Sequence, residues 1–391
     1  MVKALTASTY VPTFLAEVGV GAMLPIFALS VLAMDGSVAV ASLAVGAYAL
    51  GRLAGGAWIG RLAASIGPAR ASMASLTLLA AGSLACALSP SVVPFVASAL
   101  VVGAGHAAYH VTRQSQINSL VTRAFRARAL TTVAGTWRVG NFIGPLVGAG
   151  IIAAWGLPWA YAFAAVMVVS AMVALRTARE YAVPFVPHPH AVSKVRDVVR
   201  ESWPILRTLG FMVMLTGGVR AARTVVIPLW AAHVGVSAEV VSLIFAVSAF
   251  VDMLLFYPAG AVMDRWGRRW TNIPSTLMIA AGIIALPFTT SVVGVMVVAL
   301  VLGLGNGWGS GSLMVLAADV APPASRDTFT GVWFILQDVG GLATPLVVSA
   351  GAAIALSAGI FAVGGTGLVA ALGMYRWIPP WRRDVEARTA S

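Results

Sequence analysis

A chain of 391 residues that is 59% hydrophobic and 10% charged, with mean hydropathy +0.91, holds more apolar surface than a soluble domain can bury. That excludes a soluble enzyme, and the net charge of +12 is placed in a way that argues against nucleic acid as a partner. A bilayer core about 30 Å thick takes about 20 apolar residues per helix, and the apolar runs here are continuous rather than alternating, so an all-α polytopic membrane protein is expected and not a barrel.

Twelve spans are expected in chain order: 10–32, 38–60, 71–89, 92–114, 129–152, 158–176, 206–231, 238–261, 271–290, 292–317, 329–350 and 353–377. Nearly all Lys and Arg outside them fall in or beside alternate connections and the two ends, including Arg61, Arg70, Arg126, Arg200 and Arg326. The other connections carry Asp35 and Glu239 and no Lys or Arg. The positive-inside rule then predicts a multi-pass plasma-membrane protein with both termini in the cytoplasm. The first run lacks the short core and cleavage layout of a signal peptide and reads as a first helix. Cys86 lies inside a span, which excludes a disulfide framework and a thiolate metal site.

Residues 1–176 read as one six-helix bundle and 206–391 as a second with a short cytoplasmic tail. Between them, 177–205 break the apolar rhythm with Pro184, Pro187 and Pro189. Within that linker, 191–203 alternate apolar and charged residues, as in an amphipathic helix lying on the interface. His188 and His190 in the linker have no acidic or sulfur partner nearby, so a surface loop is expected there rather than a metal site.

The second half repeats the first at an offset of 200: Gly103 and Gly105 match Gly303 and Gly305, Gly140 matches Gly340, and Pro145 matches Pro345. Internal repeats place a transporter's substrate site near the midplane at the repeat interface. The connection Gly260-Ala-Val-Met-Asp264-Arg265-Trp-Gly267-Arg268-Arg269 resembles the signature loop of the major facilitator superfamily, and Gly60 to Arg70 is a decayed copy with Ala64 in place of the aspartate. The Gly140-x3-Gly144-Pro145 stretch resembles part of the span-5 motif of that family's drug:proton antiporter branch, although Thr131 and Ala149 replace two of its glycines. The resemblance implies twelve helices in two pseudo-symmetric bundles working by alternating access. It also implies that Asp264, Arg268 and Asp319 latch one state; a merely solvated loop is the alternative.

Glu17, Arg52, Arg138, Arg220, Arg223, Asp252 and Asp338 lie inside spans. Each costs about 2.5–3.5 kcal/mol at a helix centre on insertion scales, so each needs a partner or a wet cavity. The repeat puts opposite charges at equivalent positions: Arg52 with Asp252, Arg138 with Asp338 and, after a slip to 203, Glu17 with Arg220. The four residues Arg52, Arg138, Asp252 and Asp338 sit at one depth, about 14 Å from the cytoplasmic end. In the resembled fold span 2 faces span 11 and span 5 faces span 8. Two gating ion pairs are therefore expected, Arg52–Asp338 and Arg138–Asp252; pairing within each bundle is the alternative.

Glu17 is the first candidate for a coupling proton, with Asp252, Asp338 and His106 as further carriers. Arg220 and Arg223 share a helix face and suit an anionic group through their forked donors; simple neutralisation of Glu17 by Arg220 is the competing reading. His106 and His110, four apart with Arg113 beyond, could relay protons. Tyr109, Trp137, Asn306, Trp308 and Gln337 complete the candidate cavity, together with Glu17, His106, Arg52 and Arg138. No cofactor, metal or catalytic set is expected, and a monomer in the lipid bilayer is. The function implied is proton-coupled efflux of small amphipathic compounds; the alternative is proton-coupled transport of a small organic anion held by Arg220 and Arg223.

Overall fold

The computed structural model describes residues 6–121, 123–178 and 195–378. Among these, twelve helices are long and apolar enough to cross a bilayer, and no strand occurs. They are α1 (Thr6–Ala33), α2 (Val38–Gly60), α3 (Pro68–Leu88), α4 (Val92–Ile117), α5 (Ala129–Trp155), α6 (Leu157–Thr177), α7 (Trp203–His233), α8 (Ala238–Trp266), α9 (Arg269–Phe288), α10 (Val292–Val320), α11 (Thr328–Ala352) and α12 (Leu356–Trp377).

One end of the molecule carries the basic connections and the other does not. At the neutral end a single buried core runs through both halves, from Met23–Val31 of α1 and Ala41–Tyr48 of α2 to Val225–Ala231 of α7 and Val241–Ile244 of α8. At the basic end the cores are separate. One holds Leu209, Val213, Leu316, Phe329 and Trp333 of the second half. Two smaller ones hold Ile117 with Val133 and Ile59 with Ala108 of the first. Apolar burial, at roughly 25 cal/mol per Å², therefore ties the bundles together at the neutral end. Between the bundles α2 lies along α11 and α5 along α8. Phe142 of α5 packs on Phe250 of α8 with ring centroids 5.3 Å apart.

Three local departures from the expected spans have physical causes. α1 carries a 3-10 turn, Leu24–Ile26, around Pro25, because proline cannot donate to the helical ladder. α10 breaks between Trp308 and Ser312, where the glycine-rich run reaches a left-handed Gly311 with φ 74°. The signature connection is shorter than its motif: helix continues through Asp264 and Arg265 to Trp266, and the chain turns at Gly267 with φ 90°. Gly67 of the decayed copy has φ 87°. The glycine shared by both copies is thus explained by a backbone shape that other residues resist.

Of the linker, 179–194 lie outside the described residues, and with them His188 and His190. The helix Val195–Glu201 follows, and its Val198 is buried in the core of the second bundle.

Candidate functional site

Two polar assemblies sit at mid-depth, one inside the first bundle and one between the bundles. The first is built on the α1–α5 contact. A Cβ on Gly140 would lie 2.6 Å from the Cβ of Glu17, and one on Gly144 would lie 2.5 Å from the Val18 carbonyl. Small residues at this spacing let the α5 backbone rest on α1. They bring Asn141 over Glu17, so that the Asn141 Nδ2 donates to Glu17 Oε2 at 3.4 Å and to the Trp137 carbonyl at 3.0 Å.

Glu17 is fully buried. Its Oε1 faces α4, with His110 Nε2 at 3.1 Å, His106 Nε2 at 3.4 Å and Arg113 Nη1 at 3.8 Å. The two imidazole Nε2 atoms are 2.9 Å apart. His106 Nδ1 meets the Tyr48 hydroxyl at 2.6 Å. Arg113 Nη2 donates to His110 Nδ1 at 2.8 Å. A neutral His110 must therefore carry its own proton on Nε2, aimed at Glu17 and His106. Glu17, His106 and His110 offer ligand atoms within 4.8 Å of one another, a spacing open to a metal ion. The donor chemistry does not fit one: a metal on His110 Nε2 would force a proton onto Nδ1, where Arg113 already points a donor.

The second assembly is a cavity lined by Gly21 and Pro25 of α1, Trp137, Arg138, Asn141 and Pro145 of α5, Arg223 and Thr224 of α7, and Phe245, Ser248 and Asp252 of α8. Arg138 and Asp252 are each 7% exposed. Trp137 lines this cavity and stands edge-on to His110, 6.4 Å between ring centroids, and Asn141 touches both the cavity and Glu17.

Several expected arrangements are corrected. Arg138 and Asp252 do not form the predicted ion pair. Asp252 Oδ2 instead accepts from Asn306 Nδ2 at 2.7 Å and lies 3.9 Å from Arg223 Nη1. Arg138 donates to the Ala134 carbonyl and to the Ser310 hydroxyl, and its guanidinium stacks over Phe256 at 4.0 Å. The physical reason is local competition: α8 and α10 are pressed together at Gly303 and Gly307, which puts Asn306 beside Asp252.

Glu17 and Arg220 do not meet either. Arg220 turns into the second bundle, where Nη2 donates to the Gly309 carbonyl at 2.9 Å and to Ser275 at 3.0 Å. The cation thereby caps the carbonyl end freed by the break in α10. It does not line the cavity with Arg223; nor do Glu17, Arg52, His106, Tyr109, Asn306, Trp308 or Gln337. Trp308 instead bonds the Trp270 carbonyl at 2.9 Å.

Arg52 and Asp338 do face each other across the bundles, 3.9 Å apart, with side chains 36% and 42% exposed. At the basic end Arg268 holds Asp319 through two contacts, 2.6 and 3.0 Å. Asp264 is exposed one helical turn away, and Arg265 lies over the Trp266 ring at 5.4 Å.

Residues that the sequence did not single out include Tyr48, Asn141 and Ser310. Tyr48 had a signal, standing one turn before Arg52 on α2. Ser310 had none beyond its repeat match to His110.

A twelve-helix bundle pair with a charged cavity at its interface is the architecture of a membrane transporter rather than an enzyme. The sequence profile of the Major Facilitator Superfamily matches residues 9–222 and 209–390, and the chain belongs to that family. Solved structures share the fold. A D-xylose–proton symporter superposes with TM-score 0.75 at 16% identity, covering 96% of this chain and 98% of that one. A POT family transporter in complex with 5-aminolevulinic acid gives 0.80 at 12% identity, covering 96% of each. A bacterial homolog of the human lysosomal transporter Spinster, inward-facing and unoccupied, gives 0.74 at 16%, covering 97% and 98%. No curated protein matches the sequence.

Proposed function

We propose that this protein is a proton-coupled secondary transporter of small organic anions in the plasma membrane, with its basic end in the cytoplasm and its cavity opening inward. The observation that carries the reading is the pair Arg138 and Arg223. They come from opposite bundles onto one cavity whose wall holds a single carboxylate, Asp252. Two cations against one anion leave the empty cavity at +1, and a bound monoanion balances it. Efflux of amphipathic cations would need an acid open to the cavity. The charge of Asp252 is met by Arg223, and its Oδ2 by Asn306, so it is no free counter-charge for a cation, and Glu17 is buried behind Asn141. The separate cores at the basic end support the inward opening.

Glu17 with Arg113 and two neutral histidines is balanced, and one further proton makes the cluster +1. Two positive charges about 10 Å apart at an effective dielectric of about 20 repel by about 1.7 kcal/mol. An anion in the cavity relieves that repulsion, so proton and anion favour each other's binding more than tenfold, and reciprocally. The proton enters at His110, the least buried member of the cluster. Glu17 meets His106, His106 meets Tyr48, and Tyr48 stands one helical turn before Arg52 of the inter-bundle pair with Asp338. Protonation is thereby linked to the contact that must open and close.

In proteoliposomes, an imposed pH gradient should drive accumulation of organic anions and not of matched cations. Accumulation of cations alone would remove the assignment of Arg138 and Arg223. The Arg52–Asp338 pair is half exposed, so breaking it should change stability by less than about 1 kcal/mol. Its reversal should matter for transport: Arg52→Asp and Asp338→Arg each put like charges face to face and abolish uptake, and the double variant restores it. Equal inactivity of the double variant would show that the two residues do not act as a pair.

A further inference from the structure

We infer that the transported anion also carries neutral hydrogen-bond donors, as a hydroxylated monocarboxylate such as a sugar acid does, and that Asp252, Ser248 and Thr224 read them. The inference rests on the anion reading above and narrows it.

The cavity wall divides its polar groups by kind. Its charged donors are Arg138, whose buried Nε has no partner, and Arg223; of its neutral donors, the Asn141 amide already serves Glu17 and the Trp137 carbonyl, and the Trp137 indole adds one N–H. Asp252, Ser248 and Thr224 are left to it as acceptors. Asp252 uses Oδ2 for Asn306 and Arg223, while its buried Oδ1 has no hydrogen-bond partner. Ser248 spends its proton on the Ala299 carbonyl at 2.8 Å, and Thr224 spends its own on the Ala221 carbonyl at 2.7 Å. Both hydroxyl oxygens keep lone pairs that can only accept. A buried acceptor left without a donor is costly, so Asp252 Oδ1 calls for an O–H or N–H group on the ligand, and the two hydroxyl oxygens offer places for further ones.

The charge balance decides which kind of donor. An ammonium group would make the ligand a zwitterion and leave the site at +1. A hydroxyl satisfies Asp252 Oδ1 without changing the charge, and the carboxylate then neutralises the second arginine. The faces of Trp137 and Phe245 in the same wall suit the C–H side of a carbon chain or ring.

The test uses the full-length protein in proteoliposomes and a matched six-carbon set: gluconate, hexanoate, 6-aminohexanoate and glucose, each as competitor of counterflow and as a stabiliser against heating. Gluconate should compete at a concentration about 100-fold or more below hexanoate, because a site that hydrogen-bonds a hydroxyl discriminates strongly against the analogue lacking it. Ser248→Ala should shrink that ratio without unfolding the protein. Asp252→Asn should keep part of it, because an amide oxygen still accepts. Hexanoate equal to gluconate overturns the donor claim and leaves the anion reading standing. Preference for 6-aminohexanoate overturns it in favour of a zwitterion. Glucose competing as well as gluconate sinks the anion reading itself, and no response to any of the four overturns the hydroxylated-acid class.

Discussion

Replacing Glu17 with Gln leaves exchange intact and removes accumulation. With one proton carried per anion, a pH gradient of about one unit supports about a tenfold concentration ratio, since one pH unit is worth about 1.36 kcal/mol. Glu17→Gln should give a ratio of one under the same gradient. Counterflow of labelled substrate, which needs no proton movement, should continue. Gln keeps the shape of the side chain and its place over Asn141 and His110, so a loss of counterflow as well would point to a packing role. The groups that face Glu17 are His106, His110 and Arg113 from α4 and Asn141 from α5. Arg113→Gln leaves the cluster negative when Glu17 is ionised, so it should shift the pH profile of uptake rather than abolish exchange.

The second large effect is on binding. Arg138→Ala and Arg223→Ala each delete charge-assisted hydrogen bonds worth about 1.5–3 kcal/mol, so each should weaken substrate binding by about 10- to 150-fold. Lysine at either position keeps the charge and loses the fork, and should recover only part of the loss. The two variants differ in their effect on the fold. Arg223→Ala strips Asp252 of its cation and leaves a buried carboxylate held by Asn306 alone, so it should also lower Tm. Adding Asp252→Asn should return Tm without returning binding. Arg138→Ala removes a stack on Phe256 and a bond to Ser310 and should be the milder of the two in Tm.

The twelve spans were legible because each is a continuous apolar run of membrane length, and the repeat made the two bundles legible by its constant offset. The facing of Arg52 and Asp338 was also legible, since depth and charge sign pointed the same way on helices that the family fold places opposite each other. The same logic failed for Arg138 and Asp252. Depth and sign were right for a pair, but the sequence does not state how closely α8 and α10 approach. The glycines at 303 and 307 allow an approach that hands Asp252 to Asn306. Glu17 was legible as a buried charge, and His106, His110 and Arg113 as a stripe on one helix face. That the stripe faces Glu17 could not be read, because the rotation of α1 is set by close backbone contacts, Gly140 and Gly144 of α5 on α1 and Gly19 of α1 on Ala164 of α6. Arg220 misled because the break in α10, which takes its guanidinium, is a backbone event.

The most direct measurement of the coupling is proton binding itself. Gluconate is added to the purified protein in weakly buffered detergent solution, and the change in pH is followed for wild type and Glu17→Gln. Proton uptake approaching one per protein in the wild type, absent in Glu17→Gln, is the predicted result. No uptake by the wild type while gluconate is bound, or equal uptake by the variant, would contradict the coupling of anion and proton through Glu17.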